Sequence, residues 1–358
     1  MKRVELAILI LITALVPAAR GGQGADQDKG PAQAPEVNLK LERGGKVSIS
    51  NRAGKITVTG WDRDRIEARA TDEEDSMQIP VVANPDQAPG NVWLTVGRSV
   101  VRNKEGNREY RRSVHEADMV VMVPRYASLE IVESLHADIT VSDVQGAVFI
   151  DQGNGDVDVK RVGPLRINKQ NGDISVSAVD GACQIRSLNG DVFVSNVKGL
   201  ADVGTTGGDM NIQNSGGDVR ANSATGSLDL RCVKGRADAN TASGSISLVG
   251  VGGDVNANTA SGEVLFRGRI QAGGRYRLKT ISGEVEMSIQ PDPPGFTVTM
   301  STYTGELETD FQLKVEGQSQ SRPNRRVIGR YGDGQAQLML DSFSGSVRII
   351  KGGSGECK

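Results

Sequence analysis

From Val157 to Phe266 the chain alternates apolar and polar positions in short runs, and a glycine closes every run. Successive side chains of a strand point to opposite faces, so such alternation predicts strands with one buried side. The runs repeat. NGDVDV from Asn154, NGDISV from Asn171, NGDVFV from Asn189, GGDMNI from Gly207, TGSLDL from Thr225, SGSISL from Ser243 and SGEVLF from Ser261 are spaced by 18 residues, with one step of 17. A second row of glycines, Gly146, Gly163, Gly181, Gly199, Gly217, Gly235 and Gly253, keeps the same spacing with the same slip. A repeat this short is one supersecondary unit that buries its apolar face only against its neighbours.

Each repeat offers two inward pairs. Val157 and Val159 begin the first series, which ends at Val264 and Phe266; Leu165 and Ile167 begin the second, which ends at Val255 and Ala257. Close packing requires a near-constant volume per repeat, and the pairs compensate: Leu165 and Ile167 follow Val157 and Val159, whereas Ala237 and Ala239 follow Leu228 and Leu230. A further column, Val162, Val179, Val197, Val233 and Val251, is out of step with the alternation, so a backbone bend is expected before it. The glycines and Asn154, Asn171 and Asn189 suit turns, and Asn222, Asn240 and Asn258 form a second amide column suited to a ladder. The expected fold is all-β, a parallel β-solenoid of roughly 18-residue rungs. About ten rungs at roughly 4.8 Å each would span around 50 Å, with right-handed crossovers the default.

The expected boundaries follow. Lys2, Arg3 and the uncharged run Leu6–Ala19 read as an export signal over residues 1–18, too short for the roughly 20 residues of a membrane span; uncleaved anchoring is the alternative. Residues 19–36 read as a polar linker, 37–135 as an irregular N-terminal β region and cap, 136–290 as regular rungs, 291–350 as C-terminal rungs and cap, and 351–358 as a tail. Asn51–Trp61 is expected to form an N-terminal rung burying Ile56 and Val58, with Trp61 in the core. SGEVEM, TGELET and SGSVRI, from Ser282, Thr304 and Ser344, are expected to continue the stack, interrupted by loops at Pro291–Phe296 and Ser319–Arg330.

NRAGKITVTGW followed by Asp62, the strand ending VVMVP at Pro124, the NGDV, SGS and SGE turns and the closing SGSVRI resemble bacterial exported proteins of the “putative adhesin” domain-of-unknown-function family. The resemblance spans about residues 37 to 350. It implies a β-solenoid with an adhesive surface role and brings no catalytic residues.

Charge adds an exclusion. With 42 Lys and Arg against 44 Asp and Glu, the chain lacks the basic field that gathers nucleic acid, so no nucleic-acid partner is expected. The three cysteines, Cys183, Cys232 and Cys357, lack metal spacing and do not indicate a disulfide framework; Cys183 is expected inside, Cys232 at a corner and Cys357 in the tail, available for an intermolecular bond.

The one row of repeated acids is Asp156, Asp173, Asp191 and Asp209. It continues as Ser227, Ser245 and Glu263, and exchange of acid for hydroxyl favours carboxylates that accept backbone N–H bonds at turns. Calcium is the alternative reading of these four aspartates, without a matching calcium signature. His115 and His136 lack partners at metal spacing, and Arg98–Arg112 and Arg322, Arg325, Arg326 and Arg330 read as solvated basic segments. No catalytic, cofactor or metal site is therefore expected. The expected function is a non-catalytic extracytoplasmic binding or scaffold module, periplasmic or at the cell surface, for an envelope protein or polymer. An envelope sensory or regulatory protein is the alternative, and an enzyme acting on envelope polysaccharide comes third. No integral membrane domain is expected after signal cleavage.

Overall fold

A computed structural model describes residues 37–72, 78–79, 81–85, 90–96, 99–102, 109–112, 116–319, 325–352, 355 and 357. The signal and linker segments and His115 lie outside them. The array is an all-β parallel solenoid built from two facing sheets. One contains Val157–Val162, Ile174–Val179, Val192–Val197, Met210–Ser215, Leu228–Val233, Ile246–Val251 and Val264–Gly268. The other contains Leu165–Asn171, Cys183–Asn189, Ala201–Gly207, Val219–Thr225, Ala237–Ser243 and Val255–Ser261. Every strand pairs in parallel with its equivalent one rung away. All the inward pairs and the valine column are buried, forming one continuous core.

The bend before the valine column has a definite form. Arg161, Ala178, Asn196, Asn214 and Cys232 have φ between 53° and 57°, and Gly250 has φ 69°. The ladder skips each of them, as in Lys160↔Ser177 followed by Val162↔Val179. A left-handed residue with a side chain costs roughly 1–2 kcal/mol, less for asparagine. Here it turns the next side chain inward and closes the rung, and burial of one more valine offsets the cost.

Turn glycines hold the opposite corner. Gly190 has φ +116°, and a Cβ there would lie 2.0 Å from the Gly172 carbonyl oxygen. Asn171 Nδ2 donates to Asn154 Oδ1 at 2.8 Å and Asn189 Nδ2 to Asn171 Oδ1 at 2.9 Å. The ladder expected at Asn222, Asn240 and Asn258 also forms, at 3.1 and 2.8 Å.

The ends depart from simple sequence order. Ser128–Ser142 supplies both strands of one rung, pairing with Lys46–Ser50 and Ala53–Trp61 on its outer side. Asn91–Val96 and Ala117–Pro124 lie outside those in turn, although they come later in the chain. The mirror arrangement holds at the other end. Ala336–Ser344 and Val347–Lys351 pair with Arg275–Ser282 and Val285–Ile289, and Phe296–Thr302 and Leu307–Thr309 lie beyond them. The rungs starting near Ser282, Thr304 and Ser344 therefore do not stack in sequence order; Ser344 takes the middle place. Antiparallel strands cover the last rungs: Arg65–Asp72 at one end and Arg325–Tyr331 at the other. They give the outermost ladder groups partners that a continuing parallel array would otherwise supply.

Two further expectations change. Trp61 is only half-buried: its Nε1 donates to the Arg65 carbonyl at 2.7 Å, and the Arg63 guanidinium sits 4.7 Å from the ring centre. Its strand lies next to the cap, where the rung no longer closes over the side chain. Of the basic loop expected over Ser319–Arg330, Arg322 lies outside the described residues, and from Arg325 to Tyr331 the chain is a strand between Phe296–Thr302 and Lys314–Ser319. Arg326 and Arg330 are exposed on one face and Arg325 is half-buried on the other, with Arg330 3.0 Å from Glu316 and Arg325 3.8 Å from Glu306.

Candidate functional site: a groove along the left-handed corner

The left-handed residues stack, and their repetition makes a groove running across the rungs. Its floor is Val162, Val179, Val197, Ser215 and Val233. One wall is the left-handed column and the other includes Gly163, Asp180, Lys198, Gly216, Lys234 and Gly252. The volume is about 1190 Å³. The groove passes the left-handed residue of every rung, above floor side chains that are themselves buried in the core.

Charge is concentrated at one end. Asp143 accepts from Arg161 Nε and Nη2, each at 2.8 Å, and Arg125 Nη1 lies 3.6 Å away. The Arg161 hydrogen bonds hold the Asp143 carboxyl below the usual carboxylate range despite partial burial, and the same pairing raises Arg161. Farther along, Lys198 Nζ lies 3.1 Å from Asp180 Oδ1, and Asn214 Nδ2 donates to Asn196 Oδ1 at 3.3 Å.

The other end corrects the reading of the cysteines. Cys357 forms an intramolecular disulfide with Cys232, at a Cα separation of 5.4 Å and across 125 residues of sequence. Neither cysteine is available for the intermolecular bond expected above. The partner was hidden because the chain must return past the C-terminal cap to bring the two together. Cys183 is the free cysteine among the described residues; it is buried, and burial pushes its thiol up to about 12, as expected for an inert core position.

The acid row lies on the opposite corner, away from the groove. Asp156 Oδ1 accepts from the Asp173 N–H at 2.9 Å, Asp173 from Asp191 at 2.9 Å, Asp191 from Asp209 at 2.8 Å and Asp209 from Ser227 at 2.8 Å. Each carboxylate thus fastens the next turn, the role favoured by its exchange with serine. Among the described residues no group of three or more His, Cys, Asp or Glu is placed to hold a metal ion. His136 is exposed, and Arg98–Arg112 includes an antiparallel hairpin of Ser99–Arg102 with Glu109–Arg112.

One buried column carries polar groups that the repeat pattern did not single out. Ser187, Thr205, Thr241, Thr259 and Thr280 occupy it with short hydroxyls, several bonding to the carbonyl two residues on. Lys169 occupies the same column at 4 % exposure. Its Nζ donates to the Gly155 carbonyl and to Gln152 Oε1, and desolvation pushes its pKa down to about 8 against the opposing pull of Asp156, Asp138 and Asp173.

The sequence profile of Toastrack DUF4097 matches residues 37–240 and 218–350. No curated protein matches the chain. Two solved structures are similar over most of their length: a “putative cell adhesion protein” from Clostridium sporogenes, 8 % identical, covering 89 % of this chain and 100 % of its own, TM-score 0.18; and a “putative adhesin” from Bacteroides fragilis, 9 % identical, covering 88 % and 96 %, TM-score 0.21. Neither likeness carries a functional argument at these scores.

Proposed function

The chain belongs to the Toastrack DUF4097 family, and from that premise we propose that it is a non-catalytic, adhesin-like binding or scaffold module of the cell envelope. Its working surface in this reading is the left-handed corner groove. The observation that carries it is the continuity of that groove: the same three columns recur from Arg161 to Gly252, so a ligand that fits one rung fits the next. Such a surface suits an elongated polymer, since each rung adds an equivalent set of weak contacts. The export signal read in residues 1–18 supports an extracytoplasmic place.

The test is a photo-crosslinking amino acid at Lys198, inside the groove, compared with one at Ser175, an exposed position on an outward sheet face. The experiment uses intact cells with protease added outside. Partners captured from Lys198 and not from Ser175 support the groove as the binding surface, and external cleavage supports surface adhesion. Equal capture at both positions refutes the groove. Protection from protease with periplasmic partners refutes surface adhesion and favours an internal scaffold or regulator.

A further inference from the structure

The sheet that contains Leu165–Asn171 carries an exposed apolar ridge on its outward face, at the end of the strands farther from the groove. In six consecutive rungs the residue there is Ala224, Ala242, Ala260, Ile281, Phe343 and Tyr303, each beside ladder-paired neighbours such as Ser243↔Ser261 and Ser282↔Ser344. All six are exposed. Ile281, Phe343 and Tyr303 are 52 %, 55 % and 41 % exposed, and the last two stack with ring centres 4.7 Å apart and planes 5° from parallel. Three small residues are thus followed by three bulky ones along one straight column.

That order is self-complementary. A two-fold axis lying across the strands, between Val255–Ser261 and Arg275–Ser282, sets the rungs on one side of it against those on the other side in a second copy. Ala260 then faces Ile281, Ala242 faces Phe343 and Ala224 faces Tyr303, so each bulky side chain meets a position with room for it.

The polar columns of the same face obey the same axis. Asn258 meets Lys279, Asn240 meets Asp341 and Asn222 meets Ser301. In the next column Asn256 meets Arg277, Asp238 meets Met339 and Arg220 meets Thr299. In the one nearest the groove Asp254 meets Arg275, Arg236 meets Gln337 and Asp218 meets Thr297. Among these described residues no two like charges meet. Other registers fail on this count. A shift of half a rung sets Asp254 on itself in one direction, and Arg275, Arg277 and Lys279 on themselves in the other. A shift of a whole rung sets Arg220 on Arg277 or Arg236 on Arg330. Repulsion between like charges in the wrong pairings fixes a register as firmly as attraction in the right one.

We propose that this face pairs with a second copy of the chain, antiparallel, about a two-fold axis between Val255–Ser261 and Arg275–Ser282. The surface is adequate: at roughly 3.3 Å per residue and 4.8 Å per rung it measures about 23 by 29 Å. That is about 670 Å² per copy, close to the roughly 800 Å² of a standard interface. The pairing does not depend on the groove, which lies on another corner.

Sedimentation velocity on the full exported chain, oxidised, tests it over about 1 to 500 μM, where an interface of this size should show a reversible monomer–dimer equilibrium. Ala242→Phe sets ring against ring and Phe343→Ala leaves a gap; each should weaken association at least about tenfold, and the double variant should recover most of it. Both positions are exposed, so unfolding midpoints by circular dichroism should match wild type. Cysteines give the register. Within one copy residues 242 and 343 are three rungs apart, about 14 Å, too far for a disulfide. Cys183 is buried, and Cys232 and Cys357 are bonded to each other. A mixture of Ala242→Cys and Phe343→Cys should therefore yield a covalent dimer on non-reducing gels, whereas each alone should stay monomeric. A monomer at every concentration, a size-swapped double variant no better than the single ones, or a single-cysteine variant that cross-links as well as the mixture overturns the pairing.

Discussion

Replacing Lys169 with threonine isolates the electrostatic cost of one buried charge. The lysine lies at 4 % exposure in a column that other rungs fill with serine or threonine, and its pKa is about 8 against 10.5 for the free side chain. Between these values the unfolded chain holds a proton that the folded chain has released, so wild-type stability rises with pH in this window. The full penalty is present below pH 8 and gone above pH 10.5. A gap of two to three units corresponds to about 3 kcal/mol, most of which is recovered between pH 7 and pH 10. Threonine reproduces the column’s own hydroxyl but loses the lysine stem, giving a stability offset of either sign. The pH dependence of that offset does not depend on packing. Urea unfolding of wild type and Lys169→Thr at pH 7, 8, 9 and 10 should give a difference that moves by about 2 to 3 kcal/mol in favour of wild type as pH rises. Other groups, including Tyr276 with its burial-raised pKa, cancel in the difference. A constant offset across the four pH values would refute the buried-charge argument.

Three further changes have defined outcomes. Leu230→Ala opens a cavity between Ile212 and Leu248, facing a strand that offers only Ala221 and Ala239, so urea unfolding should show a loss of about 3–5 kcal/mol; adding Ala239→Leu should restore part of it, and no recovery would refute volume compensation between facing strands. Gly190→Ala places a Cβ 2.0 Å from the Gly172 carbonyl oxygen at φ +116°, which should cost more than about 4 kcal/mol and leave little folded protein by circular dichroism; a wild-type urea midpoint would refute the crowding. Cys357→Ser removes a link across 125 residues, with an expected loss of up to about 5 kcal/mol by loop entropy. Wild type should run as a monomer on non-reducing gels, and a dominant dimer band would contradict the intramolecular bond.

The regular rungs were legible because their information is local and repeated. Val157, Val159, Leu165 and Ile167 declare their faces by alternation, and one rung’s register is tested by the next. Even the bend before Val162 and its equivalents was readable, since two apolar positions of the wrong parity require it. The groove was not, because it is made by backbone conformation at Arg161, Ala178, Asn196 and Asn214, where only the two asparagines are a type suited to that conformation. Only their offset from the valine column links them. The order of the end rungs was hidden for a different reason. Ser282, Thr304 and Ser344 open similar strands, and which one stacks on which is decided by long-range closure and by the antiparallel covers. Lys169 was overlooked because a lysine within a strand is ordinarily read as outward, and only the column it shares with Ser187 and Thr205 betrays it.

The interleaved ends change how the array responds to tension. In a simply wound stack, a pull on the chain beside either terminal rung would unzip one rung at a time, each step breaking only a single interface. Here the first rung in sequence, Lys46–Trp61, and the last, Ala336–Lys351, are each clamped between two others. A load entering at Lys46 must break ladders on both sides of a strand at once, and one applied beyond Cys357 passes through the disulfide to Cys232 within the array. Mechanical failure is thereby moved from gradual fraying to a concerted rupture, which suits a rod loaded through its chain.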